Sequence, residues 1–229
     1  MLFVQRRDVD SGAGAVEPLE QGAALRKKLL ALLADVPEEL GGLPAARQRE
    51  LRTLRRFREA EEALPAPELE HGGSVPYLGR ELFLRVSVEP GRVRDHVARR
   101  GDVLHVKVGR AGQGHVRTAL ERWYRKRARV EVAARLDGST RRAGTHYTRL
   151  TIRSQRTRWA SCSSNGAMSF NWRLLLAPEP ILDYVVEHEV AHLEVLDHSP
   201  RFWRLLGSRC PEYREHERWL KRHGAALRL

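Results

Sequence analysis

Three histidines and a glutamate fall within eleven residues of this chain: His188, Glu189, His192 and His198. In His188-Glu189-Val190-Ala191-His192, two imidazoles stand four residues apart. On a helix of about 3.6 residues per turn such positions stack on one face, so both rings can reach one metal ion. Glu189 is turned about 100° from His188, which suits a carboxylate that takes a proton from activated water rather than a further ligand. A random chain with ten His and 21 Glu in 229 residues would contain about 0.04 matches to this spacing, so chance is a poor explanation. Apolar neighbours Val185, Val186 and Leu193 strengthen the case, because charged groups in an apolar helix call for a partner. For a third ligand the spacing leaves two choices. His198 follows His192 by six residues, the interval of H-E-x-x-H-x-x-G-x-x-H sites, although Val195 stands where those have the turn glycine. Glu212 lies 20 residues beyond His192.

Local sequence signals suggest how these residues are positioned. Pro178-Glu179-Pro180 can open the motif helix, since proline is tolerated in a first turn. Before it, Met168 to Trp172 reads as a strand following Thr157 to Gly166, whose Asn165-Gly166 is a hairpin signal. That hairpin would bring Arg158, Trp159, Cys162 and Asn171 near the motif. After His198, Ser199-Pro200 reads as an N-cap and N1 pair. The helix they open carries Phe202, Trp203, Leu205 and Leu206 as core behind the site and ends at Gly207. Pro211 to Arg222 predicts a last helix, with His216 and His223 on its surface.

Further upstream, Leu82, Leu84, Val86 and Val88 alternate with more polar residues, as do Leu104, Val106 and Val108. With Glu89-Pro90-Gly91 as a turn, they predict a small antiparallel sheet. A helix from about His115 to Leu136 follows, with Val116, Leu120, Trp123, Arg127 and Val130 along one line. Its other face carries Arg117, Arg122, Arg125, Lys126 and Arg129. Tyr147 to Arg153 resumes a strand pattern. Residues 1–20 have too little apolar content to pack. Gln21 to Val36 and Leu43 to Leu64 read as a helical hairpin, with Leu25, Leu29, Leu32 and Leu33 on one stripe and Leu51, Leu54 and Phe57 on the other. Pro65 to Gly73 reads as a linker, dividing a helical, partly disordered extension over 1–74 from a domain over 75–229.

The net charge of +12 is concentrated in one region. Residues 76–158 hold 21 Lys+Arg against 7 Asp+Glu, whereas 1–75 sum to −2 and 159–229 to zero. Such a field attracts an anionic partner, nucleic acid or phosphate. A GC-rich codon bias would give the same 36 Arg to 5 Lys without one. No apolar run approaches the ~18 residues that span a bilayer. The start has no apolar segment after its charges, unlike a secretory signal. Two cysteines, Cys162 and Cys210, make no disulfide framework. The expected location is the cytoplasm.

Taken together, Thr157-Arg-Trp-Ala-Ser-Cys-Ser, Asn171-Trp-Arg-Leu, Asp183-Tyr-Val-Val-x-His-Glu-x-Ala-His192 and His198-Ser-Pro-Arg-Phe-Trp203 resemble the YgjP-like zinc metallopeptidase family, related to the SprT and WLM groups. The resemblance covers about residues 76–224, with Ala160 where the family usually has Gly. It implies an α+β zincin-like fold, a small antiparallel or mixed sheet packed on helices that include the motif helix. It also implies one Zn2+ per chain, with His188, His192 and His198 as ligands and Glu189 as catalytic acid/base, and so decides the third ligand in favour of His198. Three neutral imidazoles leave zinc one open position. The expected activity is a zinc-dependent metallopeptidase. The alternatives are a nucleoside-triphosphate (UTP-type) pyrophosphatase on the same site, or a nucleic-acid-binding module with structural zinc. Arg158, Tyr184 and Arg201 are the candidate substrate or transition-state contacts.

Overall fold

A computed structural model describes residues 67–155 and 158–229, together with Pro44 and Gln48. The helical hairpin expected over 21–64 and the unpacked segment 1–20 lie outside the described residues. The architecture is α+β, two small mixed sheets packed on helices, as the resemblance implies.

The first sheet contains β1 (Ser74–Tyr77), β2 (Arg80–Val88), β3 (His96–Arg100) and β4 (Val103–Val108), in the order β1-β2-β4-β3. Leu78 (φ 50) and Gly79 (φ 81) make the turn between β1 and β2. Positive φ at both central positions gives the tight turn whose twist matches antiparallel strands. Proline within β1 is tolerated because β1 is an edge strand. The antiparallel pairing expected between β2 and β4 is wrong: they run parallel, with Leu84 beside Leu104 and Val86 beside Val106. The reason is β3, which reverses the chain and pairs antiparallel with β4. Its His-Val-Ala-Arg-Arg sequence carries no alternating apolar signal. The expected linker is also engaged: Leu69 is fully buried, Gly72 N–H donates to Leu84 O and Leu84 N–H donates to Gly73 O.

Helix α1 (Gln113–Ala143) is the spine of the molecule, 31 residues or about 46 Å long. It outruns the expected end at Leu136 because Ser139 and Thr140 are buried, and it stops where Gly144 adopts the left-handed conformation (φ 65). Its buried stripe is Val116, Leu120, Trp123, Tyr124, Ala128, Val132 and Leu136; Val130, expected on that line, is 56 % exposed. Towards its N-terminal end α1 meets the first sheet, where Tyr124 Oη donates to Pro76 O and Tyr77 Oη to Glu131. Towards its C-terminal end it holds the motif helix.

The second sheet joins β5 (Arg149–Arg153), β6 (Ala160–Cys162) and β7 (Ala167–Asn171) in the order β5-β7-β6, with β5/β7 parallel and β6/β7 antiparallel. The β6–β7 turn closes through Ser163 N–H to Ala167 O, with Gly166 at φ 77. Ala160 lies in β6 opposite Phe170 without positive φ, so this backbone accepts a side chain. The apolar run after β7 forms a 3-10 turn, Trp172–Leu176, begun by Asn171, whose side chain accepts from Arg173 N–H. Helix α2 (Glu179–Ala191) carries the motif, with proline in its first turn. Helix α3 (Pro200–Arg209) runs through Gly207 rather than ending there, and α4 (Tyr213–His223) follows. A Cβ on Gly207 would sit 3.4 Å from the Tyr213 ring, so the small residue lets α3 and Tyr213 approach.

Ion pairs clamp α2 to α1. Arg135, whose side chain is 16 % exposed, contacts Glu131 on its own helix and Asp183 and Glu179 on α2; Arg142 reaches Glu187. Removing Arg135 would leave three carboxylates clustered without their shared cation. Arg135→Gln is expected to lower stability in urea by about 1–2 kcal/mol. Arg142→Gln, at a side chain 71 % exposed, should cost under about 0.5 kcal/mol. Equal effects of the two would contradict this account of the clamp.

Candidate metal centre

Helix α2 is apolar on nearly every side, with Ile181, Leu182, Val185, Val186, Val190 and Ala191 all buried. The motif side chains are therefore carried into the interior: His188 is 0 %, Glu189 1 % and His192 5 % exposed. His192 caps the helix with helical dihedrals (φ −69, ψ −17), so its four-residue interval from His188 keeps helical geometry. The chain then turns through Leu193, Glu194 and Val195, whose N–H groups donate to Val190, Ala191 and Ala191 carbonyls. None of the three has positive φ, which is why Val195 can replace a glycine here.

That turn returns His198 to the helix. Nε2 of His188 and Nε2 of His198 are 3.1 Å apart, and one ring nitrogen from each of His188, His192 and His198 lies within 4.8 Å of the others. Nδ1 of His192 is 3.1 Å from Val195 O, so a proton on Nδ1 leaves the Nε2 lone pair available. Phe202, fully buried on α3, packs against all three rings, with centroids at 4.9, 4.5 and 4.8 Å, and Trp203 lies 5.5 Å from His198. Pro200 occupies the first turn of α3, and the Ser199 N–H donates to Asp197 Oδ1, although the Ser199 side chain makes no cap bond.

Burial sets the charge state. It pushes the His188 imidazole well below its usual range, reinforced by His192 and His198, and His192 down to about 4. His198 is also lowered by burial, against the opposing pull of Asp197 and Glu217. All three are neutral near pH 7, the form that donates a lone pair. Burial raises Glu189 to about 8, opposed by Arg158, and neither carboxylate oxygen has a hydrogen-bond partner among the described residues. Buried carboxylates are ordinarily satisfied; a cation beside this one would complete it. Three imidazoles with two nitrogens 3.1 Å apart fit zinc, whose tetrahedral ligands at 2.0–2.1 Å stand about 3.3 Å from each other.

The other candidates divide. Arg158 acts electrostatically on Glu189, as does Glu189 on Cys162, whose thiol burial pushes up to about 12, so it stays protonated. Tyr184 precedes His188 by one turn, its ring 6.0 Å away, and its hydroxyl is buried without a hydrogen-bond partner among the described residues. Arg201 is exposed on α3, and Glu212 is 74 % exposed beside His216. Neither joins the cluster. His216, expected on the surface, is only 16 % exposed and lies 6.0 Å from the Tyr184 ring. Trp159 packs against Gly224, and Asn171 Nδ2 ties the backbone of Gln155 and Arg158 to the 3-10 turn. The Val195 carbonyl is a backbone group that no side-chain pattern could have signalled.

The three histidines, neutral and converging beside the buried Glu189, make a donor set that could hold a divalent metal ion. The chain belongs to the YgjP-like family: residues 45–223 match the family described as YgjP-like, metallopeptidase domain. No match was found among curated proteins or among solved structures. No helix among the described residues is long and apolar enough to cross a membrane.

These pKa shifts have opposite signs in their effect on the metal-free protein. The neutral His192 contributes stability that is full above about pH 6.5 and lost as pH falls towards 4. Glu189 contributes stability present below about 4.5 and lost as pH rises towards 8. The stability difference between wild type and His192→Gln should therefore shrink by about 3 kcal/mol between pH 7 and pH 4. Urea unfolding at a series of pH values measures it; a difference independent of pH would contradict the burial argument.

Proposed function

We propose that this protein is a zinc-dependent metallopeptidase, with its catalytic unit in residues 75–229. The observation that carries the reading is the convergence of His188, His192 and His198 nitrogens next to a buried Glu189 with unsatisfied oxygens. His188, His192 and His198 would hold the ion. When bound, zinc supplies positive charge that keeps Glu189 ionised and a Lewis acid that makes water a nucleophile near neutral pH. Glu189 accepts the proton from the attacking water and returns it to the leaving amine. Burial serves this exchange, because desolvation raises the proton affinity of Glu189 while the bound cation would oppose it, so the carboxylate can take the proton and return it. The Val195 carbonyl and Phe202 keep the His192 ring in one orientation. Arg158, whose charge acts on Glu189, is the candidate to steady negative charge forming on the substrate carbonyl.

Glu189→Gln should retain one zinc per chain and lose about 10²–10⁴-fold in peptide hydrolysis. His192→Gln should lose the zinc. Elemental analysis and a fluorogenic peptide library measure both; undiminished proteolysis by Glu189→Gln would sink the reading. A nucleotide panel run beside the peptides, with release of pyrophosphate as the readout, separates peptide from phosphoanhydride hydrolysis. Phe202→Leu is expected to weaken zinc binding by about 10–100-fold through loss of ring orientation, measured by competition with a chelator.

A further inference from the structure

The first sheet covers α1 with one face only. Leu82, Leu84, Leu104, Val106 and Val108 point inward and are buried, so the residues between them form an outer face. The strand registers place those residues in rows. Phe83, Val103 and Arg100 form one; Arg85, His105 and Ala98 the next; Ser87, Lys107 and His96 the third. Phe83 is 56 % exposed on an inner strand, an unusual place for a bare aromatic ring, and makes no ring contact among the described residues. Arg85 and Arg100 on adjacent rows are exposed, and neither is engaged by a hydrogen bond or ion pair among the described residues. Of the nearby acids, Glu89 binds Lys107 (2.7 Å) and Arg92, and Asp102 lies 3.5 Å from Arg99; Glu81, two residues before Phe83, accepts from the neutral Ser74 Oγ.

We propose that this outer sheet face binds single-stranded nucleic acid, with Phe83 stacking on a base and Arg85 and Arg100 contacting phosphates. An exposed ring with one guanidinium two residues along its strand, about 7 Å, and another two strands across, about 10 Å, neither paired among the described residues, combines the two forces that hold single strands, base stacking and backbone charge. The sheet face offers no helix or two-stranded ribbon to enter a duplex groove. The charge agrees, since the strands lie in the region whose net charge is +14. By contrast, the basic face of α1 is partly neutralised internally: Arg122 pairs with Asp95 and Arg125 with Glu121. The sheet face turns away from α1, so it would anchor a strand separately from the histidine cluster and does not depend on the hydrolase reading.

Fluorescence anisotropy with labelled 12-mers of oligo(dT) and oligo(U), titrated with the full-length protein, tests this. Binding should exceed that of a duplex of equal length. It should fall about tenfold or more in Phe83→Ala, and the salt slope should drop by about 1.4 in Arg85→Gln/Arg100→Gln. Glu189→Gln should bind as wild type does. All the substituted sheet residues are exposed, and unchanged thermal unfolding verifies that the variants fold. Absence of binding at 50 mM salt, equal affinity for duplex, or affinity unchanged by both sheet variants would overturn the proposal. So would loss of binding on Arg125→Gln/Lys126→Gln alone, or equal displacement by polyglutamate with no effect of Phe83→Ala.

Discussion

Desolvation governs this molecule. Helix α2 is too apolar to lie on a surface, so packing its sides buries His188, Glu189 and His192 whatever their polarity. Water that would otherwise solvate these groups is excluded, and their proton affinities move accordingly: imidazoles down, carboxyl up. A chain that only needed stability would gain by apolar residues at those positions. Keeping them creates an interior with three lone-pair donors and a carboxyl group without a hydrogen-bond partner among the described residues, an arrangement that a divalent cation would complete.

The rest of the structure holds that interior in register. Arg135 and Arg142 fasten α2 to the long α1, while α1 is anchored at its other end by Tyr124 and Tyr77 on the first sheet. The Leu193–Val195 turn brings His198 back, and its last carbonyl orients His192. Phe202 then fills the space beneath all three rings. One face of the site is thus set by a helix, one by a backbone carbonyl and one by an aromatic ring, so small shifts in any of them are resisted by packing.

Features specified locally are legible in the sequence. The four-residue histidine interval, the proline start of α2, the Asn165-Gly166 turn and the Ser199-Pro200 start of α3 each depend on residues within a few positions and form where the local signal places them, although the hairpin closes through residues 163–166 with positive φ at Gly166 and not at Asn165, and Ser199 caps without a side-chain bond. Features specified by distant partners are not. Strand β3 has no apolar alternation of its own and exists through pairing with β4, so the parallel arrangement of β2 and β4 was hidden. The length of α1 was masked by Gly138, Ser139 and Thr140, turn-like residues that burial overrides. His216 reads as a surface residue because its neighbours on α4 are charged; the distant Tyr184, whose ring lies 6.0 Å away, is a contact its own helix does not signal. The charge concentration over residues 76–158 was visible, but which cations are spent internally required the ion pairs.

The most direct test is the metal's own surroundings. X-ray absorption at the zinc edge, recorded on zinc-loaded wild type and on His198→Gln, reports the ligand atoms and their number. Three nitrogen ligands at about 2.0–2.1 Å in wild type, reduced to two in the variant, are expected. A sulfur ligand near 2.3 Å, or an unchanged spectrum in His198→Gln, would contradict the three-histidine centre.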